Sequence, residues 1–586
     1  MRTSLFTTVV ALAALAAAAA PAPARAQVTS YDGATAVVTI PSVSVGATTY
    51  ANVTLKNIGN FVFDLLGATE QKPASPGVGR YDVSNSVLTL PAVRVGDATY
   101  IDVTLVNTGN FRFALQTATE LPAATLNEVK SLLAALDALW ASAVPASAAL
   151  RVSLQDECYL HDGRTKAWLQ ADATANLFAY HQRDQYQVGR RSTNLQVLAV
   201  RNSLNAGGTS RREIDVQYDV EYNDGTSSVN NKQTVLSGSS MASPGCAAPQ
   251  TSAALRFFGN RQLVSTVVRG RTIRDERYVL ANNAAAASPL VRYRREVRLQ
   301  VTDPLANADY VVVTGPGPSG TVASVPVPFS MKMVSPFIMR AAPEFLGKSS
   351  NYVNFMDDDG FRYCHASDTT VPVAPAADCA GLGAGSDNWG FTSTNANAGA
   401  DQSFAADGWV AGGVYRFDVY KDNGWKTING HANKTPIATY FNTLDDLPFT
   451  FVEVAGSGAN PNDNDRFAKL RFGGMAMPAV QANFLSATPS VMDVSWNAQP
   501  VLAGARKLGL LQTWHYFQGP KVGNTGSNLW PALRSIDYSY PGSAATSLLW
   551  PVLGKPLDMS SKTYIEFVLF FTDRNDRVLQ SRVLFQ

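Results

Sequence analysis

Residues 31–70 and 81–120 are two copies of one sequence, aligned without a gap at a spacing of 50 residues. Val43, Gly46, Tyr50, Val53, Leu55, Asn57, Gly59, Asn60 and Phe61 return as Val93, Gly96, Tyr100, Val103, Leu105, Asn107, Gly109, Asn110 and Phe111. A duplicated unit of this size is one supersecondary element that buries its face on a neighbour. Inside each copy the alternation of Val43 with Val45, Val53 with Leu55 and Phe61 with Phe63 has the period of strands. Gly46 and the Asn57-Ile58-Gly59 step mark turns. The expectation is two tandem β repeats over 27–122, a meander serving as a spacer or attachment module.

Ahead of the repeats, Arg2 is followed by an uncharged stretch from Leu5 to Ala20 and then by Ala24-Arg25-Ala26. This pattern predicts a signal peptide over 1–26 and a mature start at Gln27. The chain is then exported to the periplasm, the cell surface or beyond. No later segment is long and apolar enough to predict a transmembrane helix in the mature chain. The four cysteines fit an oxidising compartment and suggest two disulfides. Of the three possible connectivities, Cys158–Cys246 and Cys364–Cys379 keep each bridge inside one apparent domain. At 586 residues the chain exceeds a single core. A net charge of +2 singles out no acidic or basic partner, and nothing points to nucleic acid.

The overall fold class is mainly β and multidomain. Thr125 and Glu128 form a capping box ahead of Val129, Leu132, Leu133, Leu136 and Leu139, which predicts a helix over 126–143. A weaker helical pattern covers Lys166 to Tyr180. With the antiparallel strands that follow, the helix gives an α+β domain over 123–302. Ile214, Val216, Tyr218 and Val220 alternate with Glu213, Asp215, Gln217 and Asp219, giving one acidic face. Val291, Tyr293, Val297 and Leu299 alternate with Arg292, Arg294, Glu296 and Arg298, giving a basic one. If these two strands share a sheet, the charges pair across it. A β-rich segment and linker occupies 303–406. Short strands with Gly, Asn and Pro turns then predict one or two immunoglobulin-like β-sandwich domains over 407–586.

Gly238-Ser239-Ser240-Met241-Ala242-Ser243-Pro244 resembles the nucleophile box of the subtilisin-like serine proteases, with Ser240 at the attacking position. Such a serine needs a base and an orienting acid. That family's Asp-Thr/Ser-Gly and His-Gly-Thr boxes are not found upstream, so no catalytic residue is assigned. His161 beside Asp162 reads as a solvated turn. Asp357 and Asp359, and Asp463 and Asp465, lie in oxygen-rich loops that suit a structural calcium ion, the one cofactor suggested. Trp409, Trp425 and Trp530 sit beside turn residues, where an exposed ring suits stacking on sugars or a protein surface. Trp496, by contrast, lies in a core-like strand. The functional expectation is a non-enzymatic structural, adhesive or glycan-binding protein of the cell envelope, with a glycan or another envelope protein as partner. The alternatives are an extracellular hydrolase with a carboxylate site and a subunit of a secreted assembly.

Overall fold

The computed structural model describes most residues from 28 to 338 and, beyond them, chiefly 362–366, 388–393, 403–454, 469–473, 492–496, 507–517, 533–539, 547–550 and 564–585. The chain is mainly β, about 60% strand and 12% helix among the described residues, with several sheets in a multidomain arrangement. No helix among the described residues is long and apolar enough to cross a membrane.

The duplicated segment supplies β1 (Ser30–Asp32), β2 (Val37–Val45), β3 (Thr48–Gly59) and β4 (Val62–Gln71) from the first copy. The second gives β5 (Gly79–Asp82), β6 (Val87–Val95), β7 (Ala98–Gly109) and β8 (Arg112–Glu120). Their order is β1-β2-β3-β4-β8-β7-β6-β5, and β1 also pairs in parallel with β6 while β5 pairs with β2. The two copies therefore close into one barrel, with β4 and β8 joined only over Val62–Asp64 and Arg112–Ala114. Alternate residues point inward, so Ile40, Val53, Leu55 and Phe63 meet Leu90, Val103, Leu105 and Phe113 in the core. Neither copy buries this face alone.

The β3–β4 and β7–β8 hairpins turn on Asn60-Phe61 and Asn110-Phe111, all four residues at φ between 49° and 58°. Two consecutive left-handed residues make a type I′ turn, whose twist matches that of the strands. A phenylalanine there is sterically costly, and contacts between the copies hold it. The Phe61 carbonyl accepts from the Leu115 amide at 3.0 Å, and the Phe111 carbonyl accepts from the Leu65 amide at 3.2 Å. Each turn is thus bound to the other copy's strand.

Helix α1 (Ala123–Ala138) covers a four-stranded sheet built from Arg191–Leu204, Ser210–Glu221, Ser227–Ser239 and Thr251–Gly259. Val129, Leu132 and Leu133 meet Val197, Ile214, Val216, Val220, Leu255 and Phe257 in one core. The predicted capping box does not form. The helix begins after Pro122, whose carbonyl accepts from the Thr125 amide at 2.9 Å, and no side chain caps it. Thr125 is buried, and Glu128 reaches Arg212 on the sheet instead. The second predicted helix is found as Lys166–Ala175. The barrel joins this layer directly, because the Leu121 amide donates to the Thr99 carbonyl at 2.8 Å and Ile101 packs on the same core.

The acidic and basic strands do not share a sheet. Asp215 and Glu213 are neutralised inside their own sheet by Arg201, at 2.6 Å and 3.3 Å. The basic strand, Leu290–Thr302, belongs to a seven-stranded sheet with Asn388–Ser393, Ser265–Tyr278, Val578–Phe585, Tyr564–Thr572, Lys507–Phe517 and Leu533–Ser539. That sheet faces a five-stranded one containing Tyr310–Thr314, Ser330–Val334 and Gly413–Tyr420. Val268, Val297, Leu299 and Val301 from the first meet Val311, Met331, Met333, Tyr415 and Phe417 from the second in one core. The expected divisions at 302/303 and 406/407 therefore run through segments that hydrogen-bond and pack together.

Phe61→Gly should raise stability by about 1 kcal/mol, because glycine takes φ > 0 freely and the lost ring is 65% exposed. Thermal unfolding checks this, and a lower melting temperature would show that the turn is not strained.

Candidate functional site

Two of the three tryptophans expected at the surface, Trp409 and Trp425, are inside. Trp409 is 2% exposed and packs on Phe329 and Tyr415, with ring centroids 5.2 and 5.9 Å away, and Trp425 is 6% exposed. The glycines beside them serve close packing rather than an exposed turn. Gly408 has φ +93°, and a Cβ on it would meet the Gly317 carbonyl oxygen at 2.5 Å. This approach seats Trp409 in the sandwich core. Trp496 is buried, as its strand pattern predicts. Trp530, Asp357, Asp359, Asp463, Asp465 and Ser240 lie outside the described residues. Among the described residues no group of three His, Cys, Asp or Glu side chains could hold a metal ion.

Cys158 and Cys246 form a disulfide between residues 88 apart in sequence. Cys379 lies outside the described residues, and only the strand backbone is described at Cys364. His161 and Asp162 lock a turn. The His161 Nδ1 accepts from the Asn260 amide at 3.2 Å, and Asp162 accepts from the Asn260 side chain at 2.7 Å. Burial holds the His161 pKa below its usual value, so the neutral form that can accept this bond is favoured.

The basic strand carries the most concentrated charge. On one face of the seven-stranded sheet, Arg294 Nε lies 3.0 Å from Asp275, and Arg582 Nε lies 3.1 Å from its other oxygen. Arg271 Nε is 3.1 Å from Glu296, and its Nη2 donates to the Gln580 side chain at 2.8 Å. The Asp275 and Glu296 side chains are only 3% and 5% exposed. On the opposite face Arg295 donates to the carbonyls of Phe449 at 2.8 Å and Pro448 at 3.0 Å, with its guanidinium over Phe404. These guanidiniums neutralise carboxylates and cap carbonyls within the fold. Sequence alternation exposes the arginines, but their acids sit on strands it does not pair with them.

Two concave sites are found among the described residues: a wide one of about 760 Å³ lined by Leu204, Arg211, Arg212, Ser237 and Thr251, and one in the repeat barrel that sequence reading missed. The repeat barrel holds a cavity of about 350 Å³ between the two copies, lined among others by Tyr31, Phe61, Phe63, Val93, Tyr100, Val103 and Leu115. Its side-chain polar groups are the Tyr31 and Tyr100 hydroxyls and the Asn57 amide, which donates to the Tyr31 hydroxyl at 3.4 Å. The exposed Phe61 ring on the type I′ turn was the available signal.

No protein-family model matches the chain, and no curated protein is found to be similar to it.

Asp275→Asn should destabilise the protein by about 3–5 kcal/mol, because it removes the buried charge shared by two partly buried guanidiniums. Asp215→Asn, whose side chain is 30% exposed, should cost about 1 kcal/mol or less. Urea unfolding of both variants gives the comparison, and equal losses would show that burial is not what sets the cost.

Proposed function

We propose that the protein is exported and serves, without catalysis, as a structural and adhesive protein of the cell envelope that carries tension. The observation behind this reading is the parallel pairing of two strands far apart in sequence. Arg271 to Tyr278 lie beside Val578 to Phe585 in continuous register.

The chain enters the first of these strands at Ser265, from the barrel side, and leaves the second at Phe585. Parallel strands pulled from opposite ends slide past one another, so their hydrogen bonds resist together in shear. An antiparallel hairpin pulled from its open end would instead peel one pair at a time. The Asp275–Arg582 ion pair bridges the same two strands. The Cys158–Cys246 disulfide suits an oxidising compartment, in keeping with export. Burial of Trp409 and Trp425 removes both as glycan platforms, so adhesion on this reading uses other surfaces.

Single-molecule stretching between residues 28 and 585 tests the proposal. The sandwich, from 265 to 585, should yield last and at the highest force, releasing roughly 1,100 Å of contour. A sandwich that yields before the barrel would refute a tension-carrying role.

A further inference from the structure

The barrel is built from two copies of one repeat, yet its two halves are not equally closed. Phe61 is 65% exposed, whereas its counterpart Phe111 is only half-buried. Tyr31 is half-buried where Tyr81 is buried, Tyr100 is half-buried where Tyr50 is buried, and Ala118 is exposed where Ala68 is buried. All four differences point the same way. Phe61, Tyr31, Tyr100 and Ala118 line the cavity, and their better-covered counterparts stand at the pseudo-symmetric position. There Tyr81 packs edge-on against Phe113, with ring centroids 6.0 Å apart, so that mouth is filled by the protein's own rings. The second copy also differs in its surroundings, because Ile101, in place of Ala51, packs on the core under helix α1. Docking of that copy accounts for the departure from symmetry.

We infer that the open half of the barrel is a binding site for a small, uncharged, largely apolar molecule bearing one hydrogen-bond acceptor. Three features select this ligand class. The volume, about 350 Å³, lies in the range of small-molecule sites, roughly 300–1,000 Å³. The lining is aliphatic and aromatic and carries no charged side chain, so a charged ligand would lose its hydration without a partner. The Tyr31 hydroxyl accepts from Asn57, which leaves its proton to donate to a ligand oxygen or nitrogen. The site is independent of the tension-carrying role.

The test is a fluorescence titration of the full chain with 6-propionyl-2-(dimethylamino)naphthalene, an uncharged apolar dye whose ketone oxygen can accept a hydrogen bond. Saturable one-site binding with blue-shifted emission is expected. Ala118→Trp, at the exposed rim, should plug the mouth and weaken binding at least tenfold while leaving circular dichroism and melting temperature unchanged. Val103→Phe, from the inner wall, should weaken binding as well, and serves as the second obstruction. Absence of saturable binding would overturn the inference. Binding that both variants leave intact would also overturn it, since the dye would then sit elsewhere.

Discussion

A single carboxylate, Asp275, lies between guanidiniums from two other strands, Arg294 at 3.0 Å and Arg582 at 3.1 Å. The arrangement of the whole sandwich depends on this contact. Strand side chains alternate between faces, so a slip of one residue in either neighbour would carry its arginine to the opposite face. Asp275 would then be buried without a partner. A buried ion pair adds little net stability once desolvation is counted, but its loss on one side is costly. Its consequence here is register. With register set, Val268, Val297 and Leu299 face the second sheet, and Arg295 on the same face reaches the carbonyls of Pro448 and Phe449.

The barrel obeys a different constraint. Each repeat has an apolar face it cannot cover alone, and closure through β1–β6 and β5–β2 covers both at once. The left-handed Phe61 and Phe111 persist because each carbonyl is held by an amide of the other copy. Strain within each hairpin is thus met by pairing between hairpins. From the barrel, Leu121 and Ile101 continue the packing into the helix-covered sheet. The modules are therefore coupled by apolar contact rather than strung on a flexible spacer.

What could be read in the sequence was local. The repeat, the strands inside it, the α1 face and the buried Trp496 all follow from periodicities of 2 and 3.6 over short windows. What escaped was set by contacts between distant segments. Pairing of Arg271–Tyr278 with Val578–Phe585 spans about half the chain and has no local signature. The charged faces of Ser210–Glu221 and Leu290–Thr302 looked complementary, but Arg201 and Asp275 on nearer strands were the actual partners. Trp409 and Trp425 were assigned to the surface because glycine neighbours suggested turns. Gly408 is indeed in a turn, but one pressed against Gly317, which turns the indole inward. Thr125 had the residue type of a cap, yet Pro122 starts the helix earlier. The candidate cavity was legible only as an exposed phenylalanine, because a cavity between two copies exists only after closure.

The claim that ion pairing fixes the Val578–Phe585 strand in place is tested most directly by a double-mutant cycle between Asp275 and Arg582, using Asp275→Asn and Arg582→Gln in urea unfolding. Residues in direct contact within one network couple by about 0.5–3 kcal/mol. The account predicts a coupling of at least about 1 kcal/mol, with the double variant less destabilised than the two single losses combined. Additive losses would contradict it, and would mean that the strand is held by its apolar face and backbone pairing alone.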